Sequence, residues 1–406
     1  MKKYFIWISC FIICAFGFSF GLPARSTEEI GIAFSNFLLE NLEKIMPAKM
    51  RELYKASAPQ SRVDELFEKC CFENHIDEEV LKHKLRQGLP AWAEAQIQED
   101  LSHHNKVTEQ QLDSYLQEFG FANRLVRFQI KDKEVKLIFR EKLRSIPEYL
   151  RDGEDSILYG LVRPIYNMLR FLAKNNYIPD TDFILSLNDY ANIPRTVPIF
   201  TYAKDMDQPT ENKLILIPDW MNLCSNRKLL SGIDSASAPF WENKINKLFW
   251  RGSECDSTGF RKKLVNLGKI NSDRIDADFV YLNTPVDKII KLQDHLKYKY
   301  LISIDGIRCS WERLVWHLYS GSLVFKNTSN QVQWYYKAIK PYRDYIPVAD
   351  EQELLDKLIW AEQYPAEVQK IIQSGRNMVA NNLQLEDMLH YWIAVIKEYN
   401  ERLLIH

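Results

Sequence analysis

The second half of the chain alternates short apolar runs with helical patterns, and this alternation restricts the possible folds more than any other feature. The predicted strands are Lys247–Trp250, Phe279–Leu282, Tyr300–Ile304 and Ser322–Phe325. The predicted helices between and after them are Gly259–Leu267, Pro285–Leu292 and Ser310–Tyr319, and a helical tail begins at Glu351. Alternation of this kind predicts an α/β fold with a parallel sheet flanked by helices.

The first half predicts another α/β unit behind a helical preface. Residues 28–119 are charged and helical in pattern, and a hairpin over 125–139 and a helix over 156–175 follow. Three buried strands are then predicted at Phe183–Leu187, Val197–Tyr202 and Leu214–Ile217. A chain of 406 residues is too long for one ordinary domain, and the polar stretch Leu223–Pro239 is our candidate boundary. We therefore predict an N-terminal domain over residues 25–230 and a C-terminal domain over residues 231–406.

The N-terminus carries an uncharged run from Tyr4 to Leu22, behind Met1-Lys2-Lys3 and ahead of Pro23. This is the layout of a secretory signal peptide, here residues 1–24. The run is also nearly long enough to cross a bilayer, so an uncleaved anchor, with membrane association through residues 4–22, is the alternative. Either interpretation predicts delivery to the secretory pathway lumen or to an extracytoplasmic compartment.

Charge balance and absent motifs argue against several ligand classes. The chain has 53 Lys plus Arg and 54 Asp plus Glu, so no global positive field would draw it to nucleic acid. It contains no Gly-x-x-x-x-Gly-Lys loop and no Gly-x-Gly-x-x-Gly turn, which removes the main support for ATPase and dinucleotide functions. No Cys or His spacing resembles a zinc site, and Asp276-Ala277-Asp278 is interpreted as ordinary loop carboxylates, so we predict no metal.

Two strand-to-helix turns could hold a diphosphate, which needs convergent hydrogen-bond donors. The first turn offers Arg251, Gly252, Ser253 and Arg261, and the second offers Gly306, Ser310 and Arg313. Glycine permits close backbone approach, serine lies near a helix start, and arginine supplies a two-pronged donor. The alternatives are that Ser310 only caps a helix and that Arg313 pairs with Glu312 or another carboxylate.

Asp189 follows a buried strand in Leu187-Asn188-Asp189-Tyr190. A carboxylate at that position can face a cleft between domains and act as a general base, and the alternative is an aspartate that caps a turn. His295 and His317 lie in helical patterns without metal-ligand spacing, so each is interpreted as an ordinary helix-surface or core residue.

Several motifs in fixed order give the chain a family resemblance. They are Ser186–Tyr190, Phe249–Ser253, Asp276–Phe279, Asp294–Leu301, Asp305-Gly306, Gly321–Phe325 and Tyr345–Val348, followed by a helical tail. From Phe183 to Leu403 the chain resembles the protein O-glucosyltransferases and the related capsule-associated and lipopolysaccharide-modifying transferases. Residues 25 to about 120 match poorly, and nothing there identifies an acceptor.

The resemblance implies a GT-B-type fold of two Rossmann-like domains, with the nucleotide on the C-terminal domain and the acceptor facing the N-terminal one. It implies an inverting transferase with no required cofactor. The enzyme would move a glucose- or xylose-like sugar from a UDP-sugar to a hydroxyl of a protein or polysaccharide acceptor. Asp189 carries over as the general base, and Arg251, Ser253, Ser310 and Arg313 carry over as donor contacts. The segment Gly306 to Arg313 is one residue longer than in the animal enzymes, which leaves the pairing of Ser310 and Arg313 open by one position.

Two other functions remain as alternatives. The first is a non-catalytic module that binds a nucleotide or a glycan on the same fold. The second is a glycoside hydrolase, which needs two opposed carboxylates, whereas only Asp189 lies in a recognisable motif here.

Overall fold

The computed structural model describes residues 76–120, 124–139, 142–144, 156–187, 194–208, 213–236, 238–281 and 290–405. The predicted leader over residues 1–24 and the predicted base Asp189 lie outside these residues. All described residues belong to one unit of the chain, which spans Cys70–Tyr281 and Val286–His406. The division into domains over 25–230 and 231–406 stays a prediction.

The described helices and strands follow one another with short connections. The helices are α1 Glu78–Gln87, α2 Ala91–Ser102, α3 Glu109–Phe119, α4 Ser156–Lys174, α5 Trp220–Ser235, α6 Phe260–Ile270, α7 Leu292–His295, α8 Glu312–Tyr319, α9 Glu351–Gln363, α10 Pro365–Asn382 and α11 Leu385–Arg402. The strands are β1 Val107–Thr108, β2 Leu125–Lys131, β3 Glu134–Phe139, β4 Lys142–Arg144, β5 Thr181–Ser186, β6 Ile199–Thr201, β7 Lys204–Asp205, β8 Leu214–Leu216, β9 Ile245–Gly252, β10 Ile275–Phe279, β11 Tyr298–Ser303, β12 Leu323–Asn327, β13 Gln331–Val332, β14 Ile346–Val348 and β15 Leu404–Ile405. No helix in the described part of the chain is long and apolar enough to cross a membrane.

A five-stranded sheet organises the second half, in the order β10-β9-β11-β12-β14. All its strands run parallel, and helices α6 and α8 follow β9 and β11. Leu248, Ile302 and Phe325 are fully buried in its core. The predicted parallel α/β architecture is therefore confirmed, and the carboxyl ends of β9 and β11 lie at one edge.

The edge strand β10 corrects two predictions. It covers Ile275–Phe279 rather than Phe279–Leu282, and Asp276 and Asp278 lie within it rather than in a loop. In the register of the sheet, Asp276 lies beside Phe249 and Asp278 beside Arg251. The prediction was wrong because two carboxylates interrupt the apolar pattern, although an edge strand tolerates polar side chains on its open side.

A six-stranded mixed sheet organises the first half, in the order β4-β3-β2-β5-β6-β8. The predicted hairpin is the antiparallel pair β2 and β3. Its turn residues Asp132 and Lys133 have φ of 51° and 67°. Strands β5, β6 and β8 run parallel, as the three apolar runs predict, so their carboxyl ends share an edge.

Most of the predicted boundary Leu223–Pro239 forms helix α5. The Asp219 carboxylate caps the helix by accepting a hydrogen bond of 2.9 Å from the Asn222 amide. Asn226 donates to a backbone carbonyl in the C-terminal helical region, and the buried apolar face consists of Leu223, Leu230 and Ile233. The segment is helical because its polar side chains have buried partners, which its composition does not indicate.

The C-terminal helices α9 and α10 pack on the second sheet, whereas α11 returns to the first. The Trp392 ring stacks on Phe200 of β6 with centroids 6.4 Å apart. The Tyr399 hydroxyl donates to the Asp182 carbonyl of β5 at 2.9 Å. The following strand β15 pairs in parallel with β1, so the end of the chain is fixed to the first half.

Candidate functional site

Residues near the carboxyl ends of strands in the two sheets contact each other. Tyr202, which follows β6, presents its ring edge-on to Trp311, which precedes α8, with centroids 6.3 Å apart. Just beyond Tyr202, β7 pairs antiparallel with β13, so that Asp205 lies beside Gln331. Edges of this kind are where α/β sheets bind ligands.

A cavity of about 320 Å³ lies beside this contact. Helix α5 of the first half contributes Met221 to its lining. The remaining lining residues come from the turns after β9 and β11 and from the first residues of the helices that follow them, α6 and α8. Five of the predicted donor-binding residues line it: Ser253, Arg261, Gly306, Ser310 and Arg313. The structure therefore brings together the two turns that the sequence analysis selected.

Arg251 faces the edge strand rather than the cavity lining. Its guanidinium donates to the Asp276 carboxylate at 2.6 Å and to the Asp276 carbonyl at 2.9 Å, and it lies over the Phe249 ring. Burial raises the pKa of Asp276, but hydrogen bonds from Tyr298 and Arg251 outweigh burial and hold the pKa below its usual value. Direct diphosphate binding by Arg251 stays a prediction.

Gly252 follows Arg251 and is packed against Trp250. A methyl group at Gly252 would lie 2.6 Å from a Trp250 ring carbon, so this position requires glycine for close approach. The Trp250 side chain is only 1% exposed and belongs to the core.

Arg261 ties the two turns together. Its guanidinium donates to the Ser253 hydroxyl at 2.9 Å, to the Cys255 carbonyl at 2.9 Å and to the Ile304 carbonyl at 3.0 Å. A side chain at Gly306 would meet the guanidinium at 3.1 Å, so the glycine makes room for it. Because neutral oxygens hold the guanidinium, its positive charge stays available to the cavity.

Ser310 is not a helix cap. Helix α8 begins at Glu312 after Trp311, which provides no side-chain cap. The Ser310 hydroxyl lies 2.7 Å from the Ser303 hydroxyl, and its amide donates to Asp305 at 2.9 Å. Asp305 is 2% exposed and also accepts from Lys326 at 3.0 Å. The turn after β11 is therefore fixed by a buried polar network.

Arg313 provides the cation that is best placed for an anionic ligand. Its guanidinium donates to the Arg251 carbonyl at 2.9 Å and lines the cavity. Within the described residues it forms no ion pair, so the predicted alternative of a pair with Glu312 is wrong. Burial, with a smaller effect of Arg261, lowers the pKa of Arg313 to about 10, and the group stays charged at neutral pH.

The cavity lining includes residues that were not predicted from the sequence: Met221, Cys255, Ile307, Arg308, Cys309, Trp311 and Glu312. Arg308 lies two residues after Gly306 in the second turn and is 5% exposed, so its position in that turn could have identified it from the sequence. Met221 could not be identified in this way, because most of its helix was interpreted as a polar boundary between domains. Cys255 is exposed and Cys309 is buried, and both are free thiols.

Two observations concern metal binding. Among the described residues, no group of three His, Cys, Asp or Glu side chains is arranged to hold a metal ion. Asp276, part of the Asp-x-Asp sequence, accepts hydrogen bonds from Arg251 and from the Tyr298 hydroxyl, each at 2.6 Å. Its carboxylate therefore has hydrogen-bond partners on strands β9 and β11.

His295 and His317 lie side by side behind Arg313. Their ring centroids are 6.2 Å apart, and neither nitrogen of His317 has a hydrogen-bond partner among the described residues. Burial, with smaller effects of Arg313 and Arg251, lowers the pKa of His295 to about 3. Burial likewise places the pKa of His317 well below 6.5. Both histidines are therefore neutral in the folded protein at neutral pH.

We expect acid to destabilise the protein through these histidines. Below about pH 6.5 the unfolded chain binds protons that folded His295 rejects, so the free energy of unfolding falls by up to about 1.4 kcal/mol per pH unit for this group. The window extends down to the folded pKa of about 3. Urea unfolding between pH 7 and 4.5 should show a shallower decline for His295→Phe than for the wild type. His83→Phe, on an exposed position of α1, should keep the wild-type slope, and equal slopes in all three proteins would contradict the expectation.

The chain is similar in sequence to several protein O-glucosyltransferases. Protein O-glucosyltransferase 2 of Danio rerio is 28% identical over 328 residues, which are 76% of this chain and 62% of that protein. Protein O-glucosyltransferase 3 of Homo sapiens is 27% identical over 286 residues, 65% of this chain and 53% of that protein. Protein O-glucosyltransferase 1 of Rattus norvegicus is 29% identical over 258 residues, 55% of this chain and 63% of that protein. The chain thus spans less than two thirds of each of these relatives.

A solved glycosyltransferase structure from Rickettsia africae ESF-5 aligns with 52% of this chain and 68% of its own, at a TM-score of 0.33 and 12% identity. That overlap is too low to define the fold. The sequence model of "Glycosyl transferase family 90" matches residues 95–406, which include both sheets and every residue of the candidate site. The chain therefore belongs to glycosyl transferase family 90.

Proposed function

We propose that the chain is an inverting glycosyltransferase that moves a sugar from a UDP-sugar to a hydroxyl group of a protein or glycan. The observation that carries this proposal is the Arg313 guanidinium, which lines the cavity without a carboxylate partner in the described residues. A diphosphate is the part of a nucleotide sugar that such a cation would bind. Because the relatives are protein O-glucosyltransferases, glucose is the first sugar to test. Xylose, which the family resemblance also implies, is the second.

We infer that the two halves form a GT-B fold. Tyr202, which follows a strand of the first sheet, contacts Trp311, which follows a strand of the second. Met221 of the first half also lines the cavity. In this arrangement the donor lies on the second half and the acceptor approaches from the first. The uncharged run Tyr4–Leu22 supports the additional proposal that transfer occurs in a secretory or extracytoplasmic compartment.

The proposed chemistry needs a base and a stabilised leaving group. Asp189 takes the proton from the acceptor hydroxyl while its oxygen attacks the anomeric carbon on the face opposite the diphosphate. The bond from the anomeric carbon to the diphosphate oxygen breaks, and the configuration at that carbon inverts. Arg313 binds the departing diphosphate, and the nearby charge of Arg261 lowers the free energy of the charge that develops on it.

Thermal unfolding of the full chain with and without UDP tests the donor site. UDP at about 100 times its dissociation constant should raise the free energy of unfolding by about 2.7 kcal/mol and raise the melting temperature accordingly. No stabilisation by UDP or by any other nucleoside diphosphate would contradict the donor site. Stabilisation by UDP without consumption of UDP-glucose, UDP-xylose or other UDP-sugars would instead favour the non-catalytic binding module.

A further inference from the structure

Among the described residues, Glu312 is the one carboxylate in the lining of a cavity that also contains Arg261, Arg308 and Arg313. It is the first residue of α8 and is half-buried. Its side chain forms no ion pair and no hydrogen bond to another residue in the described part of the chain. An acidic group with hydrogen-bonding capacity to spare therefore faces the ligand space.

The backbone before Glu312 fixes its position. Trp311 has φ of 52° and ψ of −131°, a conformation that is strained for a bulky residue. Two contacts hold this conformation: Asp305 accepts from the Ser310 amide at 2.9 Å, and Tyr202 packs on the Trp311 ring at 6.3 Å. The strained turn starts the helix at Glu312 and directs this residue to the cavity.

The charges around Glu312 restrict what it can bind. Burial raises its pKa, the buried carboxylate of Asp219 raises it further, and Arg313 acts in the opposite direction. A carboxylate repels the phosphates that Arg313 attracts, so Glu312 is unsuited to the diphosphate itself. Two oxygens on one carboxylate can accept hydrogen bonds from two adjacent hydroxyl groups, which a nucleotide sugar carries on its ribose and on its hexose.

We propose that Glu312 is a donor-specificity residue that accepts hydrogen bonds from a pair of adjacent hydroxyl groups of the nucleotide sugar. The inference rests on the proposed function, since it requires a nucleotide sugar in this cavity. Arg313 then binds the diphosphate. Glu312, the preceding residue of the same helix, binds hydroxyl groups of the ribose or the hexose. Analogues that lack one of these hydroxyl groups would bind more weakly, because they leave a half-buried carboxylate without a hydrogen-bond donor.

Calorimetric binding of UDP, 2′-deoxyuridine diphosphate and UDP-glucose to the wild type and to Glu312→Gln tests the proposal. If the ribose supplies the hydroxyls, the wild type should bind UDP about 10- to 100-fold more tightly than its 2′-deoxy analogue, and the variant should lose most of that preference. If the hexose supplies them, the variant should instead lose affinity for UDP-glucose relative to UDP by a similar factor.

Glu254→Gln is the matched control, because Glu254 is an exposed acid in the turn after β9 and does not line the cavity. It removes the same charge near the site and should leave both affinity ratios unchanged, that of UDP to its 2′-deoxy analogue and that of UDP-glucose to UDP. Unchanged ratios in Glu312→Gln, with only a uniform change for all ligands, would overturn the proposal. Absence of UDP binding to the wild type would contradict the proposed function instead, so the two failures are distinguishable.

Discussion

Replacing Asp189 by Asn should lower the rate of sugar transfer about 10²- to 10⁴-fold while leaving UDP affinity within about twofold of the wild type. Asn has the size of Asp but cannot take a proton from the acceptor hydroxyl. Release of UDP from UDP-glucose or UDP-xylose, with water or an added hydroxyl acceptor taking the sugar, measures the rate. Calorimetry measures the UDP affinity.

Asp132→Asn is the control for this experiment. Asp132 is exposed at the β2–β3 turn, and its φ of 51° is one that Asn tolerates. It should keep wild-type turnover. A wild-type rate in Asp189→Asn would exclude Asp189 as the base. A rate loss accompanied by an equal loss of UDP affinity would assign Asp189 to binding rather than to proton transfer.

Replacing Arg313 by Ala should weaken UDP binding by about 10- to 100-fold, because a charge-assisted hydrogen bond to phosphate is lost. At a UDP concentration of about 100 times the wild-type dissociation constant, the stabilisation should fall from about 2.7 kcal/mol to about 1.4 kcal/mol or less. Arg313→Lys should fall between the two, since lysine keeps the charge but not the planar fork. Thermal unfolding and calorimetry give both quantities.

Two comparisons separate phosphate binding from structural damage. Uridine, which lacks phosphates, should bind wild type and Arg313→Ala equally if Arg313 contacts only the diphosphate. Arg274→Ala removes an arginine that pairs with Glu362 at 3.2 Å and does not line the cavity, so UDP affinity should not change. Equal losses for uridine and UDP in Arg313→Ala would show that the variant disturbs the site as a whole.

Local pattern was sufficient for strands β9, β11 and β12 of the second sheet and for the two turns that line the cavity. Strands buried on both faces are continuous apolar runs, and a ligand edge follows from parallel order alone. For this reason the sequence predicted two donor-binding sets, one with Ser253 and Arg261 and the other with Gly306, Ser310 and Arg313. The same reasoning failed for β10 and α5, where polar residues have edge positions or buried partners that a linear pattern does not contain.

The roles of individual side chains depended on contacts between residues distant in sequence. Arg251 turns to Asp276 because β10 lies beside β9, and Arg261 reaches Ile304 because a glycine at position 306 leaves space for it. The exposure of Glu312 to the cavity depends on the conformation of Trp311 and on its contact with Tyr202 of the other sheet. The sequence by itself determined the parallel architecture, the two turns that line the cavity and the family. Only the tertiary structure decided which cations and carboxylates pair with each other, because pairing depends on distances across strands and between sheets that no local pattern encodes.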